Sequence, residues 1–130
     1  MTVTIDFKYD EHDKIIIASP HGKIETEADC QSWFNQYLNY FQRFGRQVDV
    51  IFALGDLSID GQIMTLWGEY RAMLFHENLV RFSYRVKPQT LLSIAATLSM
   101  LKSKTPNPEK GSIEEAITAI KADRIKAGIQ

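Results

Sequence analysis

Val48-Asp49-Val50-Ile51-Phe52-Ala53-Leu54 restricts the fold of this chain more than any other segment, because nearly every position in it is apolar. A strand with one wet face alternates apolar and polar residues, whereas a strand apolar on both faces must be covered on both. Helices lying over the two sides of a mainly parallel sheet meet that need.

The flanking sequence fits the same plan. Val3 to Tyr9 alternates with period two, Asp10-Glu11-His12-Asp13 is a polar break, and Lys14 to Ala18 resumes with three consecutive isoleucines. This predicts a hairpin whose second strand is the more deeply buried, ended by Pro20 and Gly22. Thr26 with Asp29 at N3 marks a helix start. Cys30, Phe34, Tyr37, Phe41 and Phe44 then form an apolar stripe, widened by Trp33 and Leu38, before Gly45.

After the apolar run, Gly55 to Gly61 predicts a loop. A second helix follows, carrying Ile63, Leu66, Trp67, Tyr70, Met73 and Leu74 on one side, with Glu69, Arg71 and Glu77 off that stripe. Leu79 to Val86 predicts a strand, with Val80, Phe82, Tyr84 and Val86 on one face and Arg81, Ser83 and Arg85 on the other. Gln89 to Lys102 predicts a third helix, whose core face is Leu91, Ile94, Leu98 and Leu101, with Ala95 and Ala96 permitting close packing. Thr105 to Gly111 is a loop that can include a short edge strand. Ser112 with Glu115 caps a last helix carrying Ala116, Ile117, Ile120 and Arg124. The expected fold is a single α/β domain over residues 1–130: a mainly parallel sheet, an N-terminal antiparallel hairpin and about four helices.

Composition narrows the function. Fifteen Lys+Arg against sixteen Asp+Glu give a net charge of -1, which argues against a general nucleic-acid binder. One cysteine forms no internal disulfide, and with three scattered histidines it offers no metal-site spacing. No cofactor fingerprint is present, neither GxGxxG nor GxxxxGK[ST], and no GxSxG elbow surrounds a serine. No catalytic, cofactor-binding or metal residues are therefore assigned, and the chain is not expected to be an enzyme. Met1 to Phe7 has no basic stretch before a long apolar run, and no apolar run reaches the ~20 residues of a membrane helix. With a free thiol, this fits a cytoplasmic protein. The charge is uneven: residues 1–30 hold seven acids and three bases, whereas residues 61–101 hold four bases and two acids. Such asymmetry either orients a protein partner or marks ordinary solvated faces.

Two groups are candidates for interaction or anion binding. In open α/β sheets ligands favour the carboxyl ends of strands, where Ser58, Asp60 and Gly61 precede the second helix. Asp60 reads as an N-cap and Ser58 as an ordinary loop residue, or a phosphate on Ser58 is held by the helix N-terminus. The second group is Arg81, Ser83 and Arg85 with Arg71. On an open face it would grip a carboxylate or phosphate, and under a covering helix the arginines would pair with acids such as Glu69 or Glu77.

With Val48–Leu54 leading into Asp60-Gly61, and Ser112-Ile113-Glu114-Glu115-Ala116-Ile117 near the end, the chain resembles the STAS/SpoIIAA-like family of anti-sigma factor antagonists. The likeness covers nearly the whole chain, by pattern more than by motif. The family's phospho-accepting serine just before the glycine is not matched, since Asp60 holds that place and Ser58 lies three positions before Gly61. The resemblance implies a small cytoplasmic regulatory domain that contacts another protein or a second copy of itself, around Ser58–Gly61 and Ile63–His76. The alternative it implies is a small-ligand or lipid binder, with a cavity between the sheet and the aromatic helix Cys30–Phe44.

Overall fold

The computed structural model describes residues 3–129. Strand β1 (Thr4–Asp10) turns back antiparallel into β2 (Ile15–Ile24). Asp10 organises the turn, its Oδ1 accepting from the N–H groups of His12 (2.9 Å) and Asp13 (3.0 Å). Helix α1 (Glu27–Gln42), β3 (Val48–Ala53), β4 (Leu57–Ile59) and a 3-10 turn (Gly61–Ile63) lead into α2 (Met64–His76). Then come β5 (Val80–Val86), α3 (Thr90–Ser103), β6 (Glu109–Lys110) and α4 (Ile113–Lys126). The sheet order is β1-β2-β3-β5-β6, parallel except for the first pair, with β4 beside the far end of β2. This is the expected α/β architecture, with β3 at its centre.

Strand β2 runs through Pro20 and Gly22 instead of stopping there. It changes partner along its length: Ile15–Ala18 pair with β3, and Gly22–Ile24 pair with β4. Pro20, which has no N–H to give, falls between the two ladders. Gly22 adopts φ 114°, a conformation open to glycine, and donates its N–H to Asp56 O (3.2 Å). The expected loop Gly55–Gly61 therefore contains a strand, too short for periodicity to reveal.

Both faces of β3 are covered. Val48, Val50 and Phe52 pack with Trp33, Tyr37 and Phe41 of α1, Trp67, Leu74 and Phe75 of α2, and Leu92, Ala95 and Ala96 of α3. On the other face Ile51 packs with Ile15, Tyr84, Val86, Ala116 and Ile120, under α4 alone. The helix starts follow the sequence. Thr26 accepts from Asp29 N–H while Asp29 accepts from the Thr26 N–H, a full capping box, and Ser112 accepts from Glu115 N–H (3.1 Å).

Two faces differ from expectation. Between Val48 and Val50, β3 advances two residues while β5 advances three, from Val80 to Ser83. This bulge turns Arg81 to the α4 side, so it parts company with Ser83 and Arg85. Arg81 there meets Asp49 (Nε–Oδ1 2.9 Å), not Glu69 or Glu77. Helix α3 is rotated relative to expectation: Leu92, Ala95, Ala96, Ser99 and Ser103 are buried, and the Leu91-Ile94-Leu98-Leu101 stripe faces out. Close approach of α2 is the cause, since a Cβ at Gly68 would lie 3.7 Å from both Ala95 O and Ser99 Cβ. Only the small-residue face of α3 fits so near. Helix α2 is likewise turned, with Arg71 buried and Met73 exposed. Among the described residues no helix is long and apolar enough to cross a membrane.

Candidate functional site

Beneath α3 lies a buried polar cluster built from four segments. Helix α2 supplies Arg71, β5 supplies Ser83 and Arg85, α3 supplies Ser93, Thr97 and Ser99, and the α3–β6 connection supplies Asn107. Arg71 is 4% exposed, Arg85 3% and Asn107 0%, so the centre of the cluster is interior, with Ser93 half-buried and Thr97 exposed at its edge.

Asn107 is the hub. Its Nδ2 donates to Ser83 Oγ (2.8 Å), its Oδ1 accepts from Arg71 Nη2, and its main-chain oxygen accepts from Arg85 Nε (2.8 Å). Pro106 and Pro108 flank it, and such neighbours hold a residue in extended backbone. The next carbonyl, Pro108 O, accepts from Arg85 N–H (2.9 Å) and starts the β5–β6 pairing. Local sequence places Asn107 only within the loop Thr105 to Gly111. The signal that could have found it is an amide residue set between two prolines.

The two guanidiniums are poorly neutralised. Arg71 donates through Nη1 to Ala96 O and Ser99 Oγ, both at 3.4 Å, and stacks over Phe75 with its carbon 4.7 Å from the ring centre. All three of its hydrogen-bond acceptors are neutral. Burial, then the nearby charge of Arg85, pulls its pKa down to about 9, with Tyr37 opposing. Arg85 donates to Ser93 O (3.3 Å) and Thr97 Oγ1 (3.4 Å), and its one carboxylate neighbour is Glu109 at 3.9 Å, 41% exposed. Burial lowers the pKa of Arg85 as well, opposed by Glu109. Two buried cations with one peripheral carboxylate are costly, and that cost makes the cluster a candidate functional site.

Of the seven residues in the two candidate groups, Arg71, Ser83 and Arg85 are thus brought together around Asn107. Arg81 is on the opposite face of the sheet. Ser58 is half-buried on β4, opposite Lys23. Asp60 caps the 3-10 turn, its Oδ1 accepting from Gln62 N–H (3.0 Å), and Gly61 is exposed beside it. Leu57 and Ile59, both buried, close β4 over the carboxyl end of the sheet.

The α1 aromatics pack against the sheet and α2, and an open groove of about 480 Å³ runs between β1 and α1, lined by Ile5, Phe7, Gln36 and Tyr40. Trp33 lies edge-on to Tyr37 (4.9 Å) and to Trp67 (5.5 Å), and Tyr37 to Phe52 (5.5 Å). Three polar atoms in that layer, Trp33 Nε1, Tyr37 OH and Trp67 Nε1, are buried without a hydrogen-bond partner. Cys30 is also interior, and burial, aided by Asp29 and Glu27, pushes its thiol up to about 11. Among the described residues, no three His, Cys, Asp or Glu side chains are grouped to hold a metal ion.

The surface over the cluster is a crevice between α2 and α3 of about 150 Å³, lined by Met64, Gly68, Ala95, Leu98 and Ser99, with Glu69 and Lys102 also on its wall. Compared with protein-family models and with curated proteins, the chain matches none.

Proposed function

We propose that this chain is a non-enzymatic regulatory domain that works by protein contact, as its anti-sigma factor antagonist-like pattern implies. Its docking face is the outward side of α3, and the occupant is a second copy of the chain. One observation carries the reading: Leu91, Ile94, Leu98 and Leu101 are 43%, 46%, 58% and 72% exposed along a single line of the helix. Single exposed leucines are ordinary, but an aligned apolar stripe is not.

Several features favour a second copy. The spacing of three, four and three residues is that of the apolar seam between paired helices. It reads the same from either end, so Leu91 of one copy can oppose Leu101 of the other, as two-fold contact requires. The cations Lys102 and Lys104 both lie at the C-terminal end of α3. Antiparallel pairing keeps the two sets about 20 Å apart, roughly the length of such a helix, whereas parallel pairing would crowd all four. The four side chains expose roughly 400 Å² per copy, so with their flanks two copies reach the order of 1,000 Å² that a specific interface needs.

Sedimentation over a concentration series tests this. The wild-type chain is expected to dimerise, and Leu98→Glu to stay monomeric with an unchanged circular dichroism spectrum. A wild-type chain that is monomeric throughout, or a Leu98→Glu variant that still dimerises, would overturn the proposal.

A further inference from the structure

We infer that the outer edge of β1, with the groove between it and α1, is a docking site for an acidic segment of another protein, bound in extended form as one more strand of the sheet. The inference begins from the backbone. Strand β1 ends the sheet and is hydrogen-bonded to β2 alone. Successive residues of a strand direct their main-chain N–H and C=O groups to opposite sides. Ile5 gives its N–H to Gln36 Oε1 of α1 (3.1 Å), so Ile5, Phe7 and Tyr9 are the residues that turn these groups away from β2.

Gln36 occupies one end of that edge. Its Nε2 donates to Val3 O (2.8 Å) while its Oε1 takes the Ile5 N–H, so a side-chain amide stands where the main chain of a neighbouring strand would. A further bond from Nε2 to Ser32 Oγ (3.0 Å) fixes the amide in place. Beyond it, the outward groups of Phe7 and Tyr9 meet no partner among the described residues. An edge left open in this way is a template for an added strand.

The flank of the edge selects the kind of strand. The groove beside it is bordered by Phe7, Gln36, Asn39, Tyr40 and Arg43. Tyr40 stacks flat on Phe7 (4.0 Å), and Arg43 lies over the Tyr40 ring with its guanidinium carbon 5.4 Å from the centre. Arg46 donates to Tyr9 OH (3.2 Å) farther along the same edge, and Lys8 is exposed between Phe7 and Tyr9. Among the described residues, none of these three cations has a carboxylate within 4.0 Å. Asp6, which also borders the groove, is already held by His21 Nε2 (2.9 Å). Main-chain groups supply affinity that any sequence can use, and the unpaired cations favour acidic side chains. The groove shares no residue with the outward stripe of α3, so both surfaces can be occupied together.

A Val-Glu-Val-Glu-Val peptide carrying a neutral fluorophore, titrated into the full chain and followed by anisotropy, tests the charge against a Val-Lys-Val-Lys-Val peptide. Amide hydrogen exchange, read residue by residue, tests the strand. The acidic peptide is expected to bind saturably, and the basic one at least about tenfold more weakly. Exchange of the Phe7 and Tyr9 amides is expected to slow at least about tenfold in the complex. Arg43→Gln, at an exposed position, is expected to weaken binding about threefold. No saturable binding at millimolar peptide, equal binding of the two peptides, unchanged binding by Arg43→Gln, or a complex in which Phe7 and Tyr9 exchange as before would each overturn the inference. Exchange of these two amides that slows with protein concentration alone would also overturn it, because a second copy would then be the occupant of the edge. The peptide comparison and the exchange measurement use wild-type protein and stand whether or not the variant folds.

Discussion

Asp49 and Arg124 lie 75 residues apart in the chain and are joined by a hydrogen bond of 2.7 Å. Arg81 binds the same carboxylate, and Arg124 reaches on to Asp13 O (2.7 Å) and Lys14 O (2.9 Å) in the first hairpin turn. One fully buried carboxylate thus ties α4, β3, β5 and the β1–β2 turn together. On the opposite face, Arg71 and Arg85 are more deeply buried than Arg81 and Arg124, and they lack such an anion. This contrast between a balanced and an unbalanced pair of arginines organises the expected behaviour of the molecule.

Asp49→Ala should lower the unfolding free energy by about 2–3 kcal/mol, because it removes the charged hydrogen bonds that hold the partly buried Arg81 and Arg124. Burial alone would raise the pKa of Asp49, but the hydrogen bonds from Arg81, Arg124 and Phe82 N–H outweigh it and hold the carboxyl below its ordinary value. The group thus binds its proton more weakly folded than unfolded. Its contribution is complete above the unfolded pKa of about 3.9 and is lost as pH falls through the lower folded value. Urea unfolding at neutral and acidic pH checks this, with the gap between wild type and Asp49→Asn closing as pH drops below about 4.

Arg71→Met should leave stability unchanged or raise it. The substitution strands the Asn107 amide oxygen, at a cost of about 1–3 kcal/mol. It also removes a buried charge that no carboxylate offsets, and that desolvation penalty is several kcal/mol. Arg124→Met, by contrast, should cost about 2–3 kcal/mol through its lost charged hydrogen bonds. Thermal melts of the two variants side by side separate them, and a large loss in Arg71→Met would show that its neutral contacts suffice.

The parts of the fold legible in the sequence were those written in local patterns. The almost continuous apolar run at β3, the helix caps at Thr26 and Ser112 and the aromatic spacing of α1 all lie where they were expected. What escaped was decided by partners distant in sequence. The bulge that separates Arg81 from Arg85 exists only in the pairing of β5 with β3. Helix α3 is apolar on more than one side, and the side that faces in is the one whose Ala95 and Ser99 pack against Gly68 of another helix. Arg71 lies off the expected apolar stripe of α2, and nothing local marks it as buried because its acceptors, Ala96, Ser99 and Asn107, lie 25, 28 and 36 residues later. The site was therefore half legible: two of its arginines were candidates, and its hub, Asn107, was not.

Cys30 should be inert in the folded protein. Its side chain has no solvent exposure, and with the thiol raised to about 11 little thiolate is available near neutrality. Labelling by a thiol-specific disulfide reagent at pH 8 should therefore proceed only as fast as the protein opens, and accelerate sharply in denaturant. Complete modification within seconds of mixing with native protein would mean that α1 separates readily from the sheet.

The start of α1 offers a test of local coupling. Thr26→Ala should cost about 1 kcal/mol by freeing the Asp29 N–H. Asp29 is held below the ordinary carboxylate range by the hydrogen bond from Glu25 N–H, against an opposing burial effect, with further help from Thr26. Its carboxylate Oδ2 binds both Glu25 N–H (2.9 Å) and Thr26 N–H (3.1 Å), so protonation weakens two bonds at once. Because the folded pKa is depressed, this support is present above about pH 4 and fades as pH falls through the folded value. A double-mutant cycle of Thr26→Ala and Asp29→Asn, read by urea unfolding, should give a coupling of about 0.5 kcal/mol or more at neutral pH. The coupling should shrink in acid, where the wild-type carboxyl is itself neutral. A coupling that stays constant across that range would mean that the Asp29 charge contributes nothing to the cap.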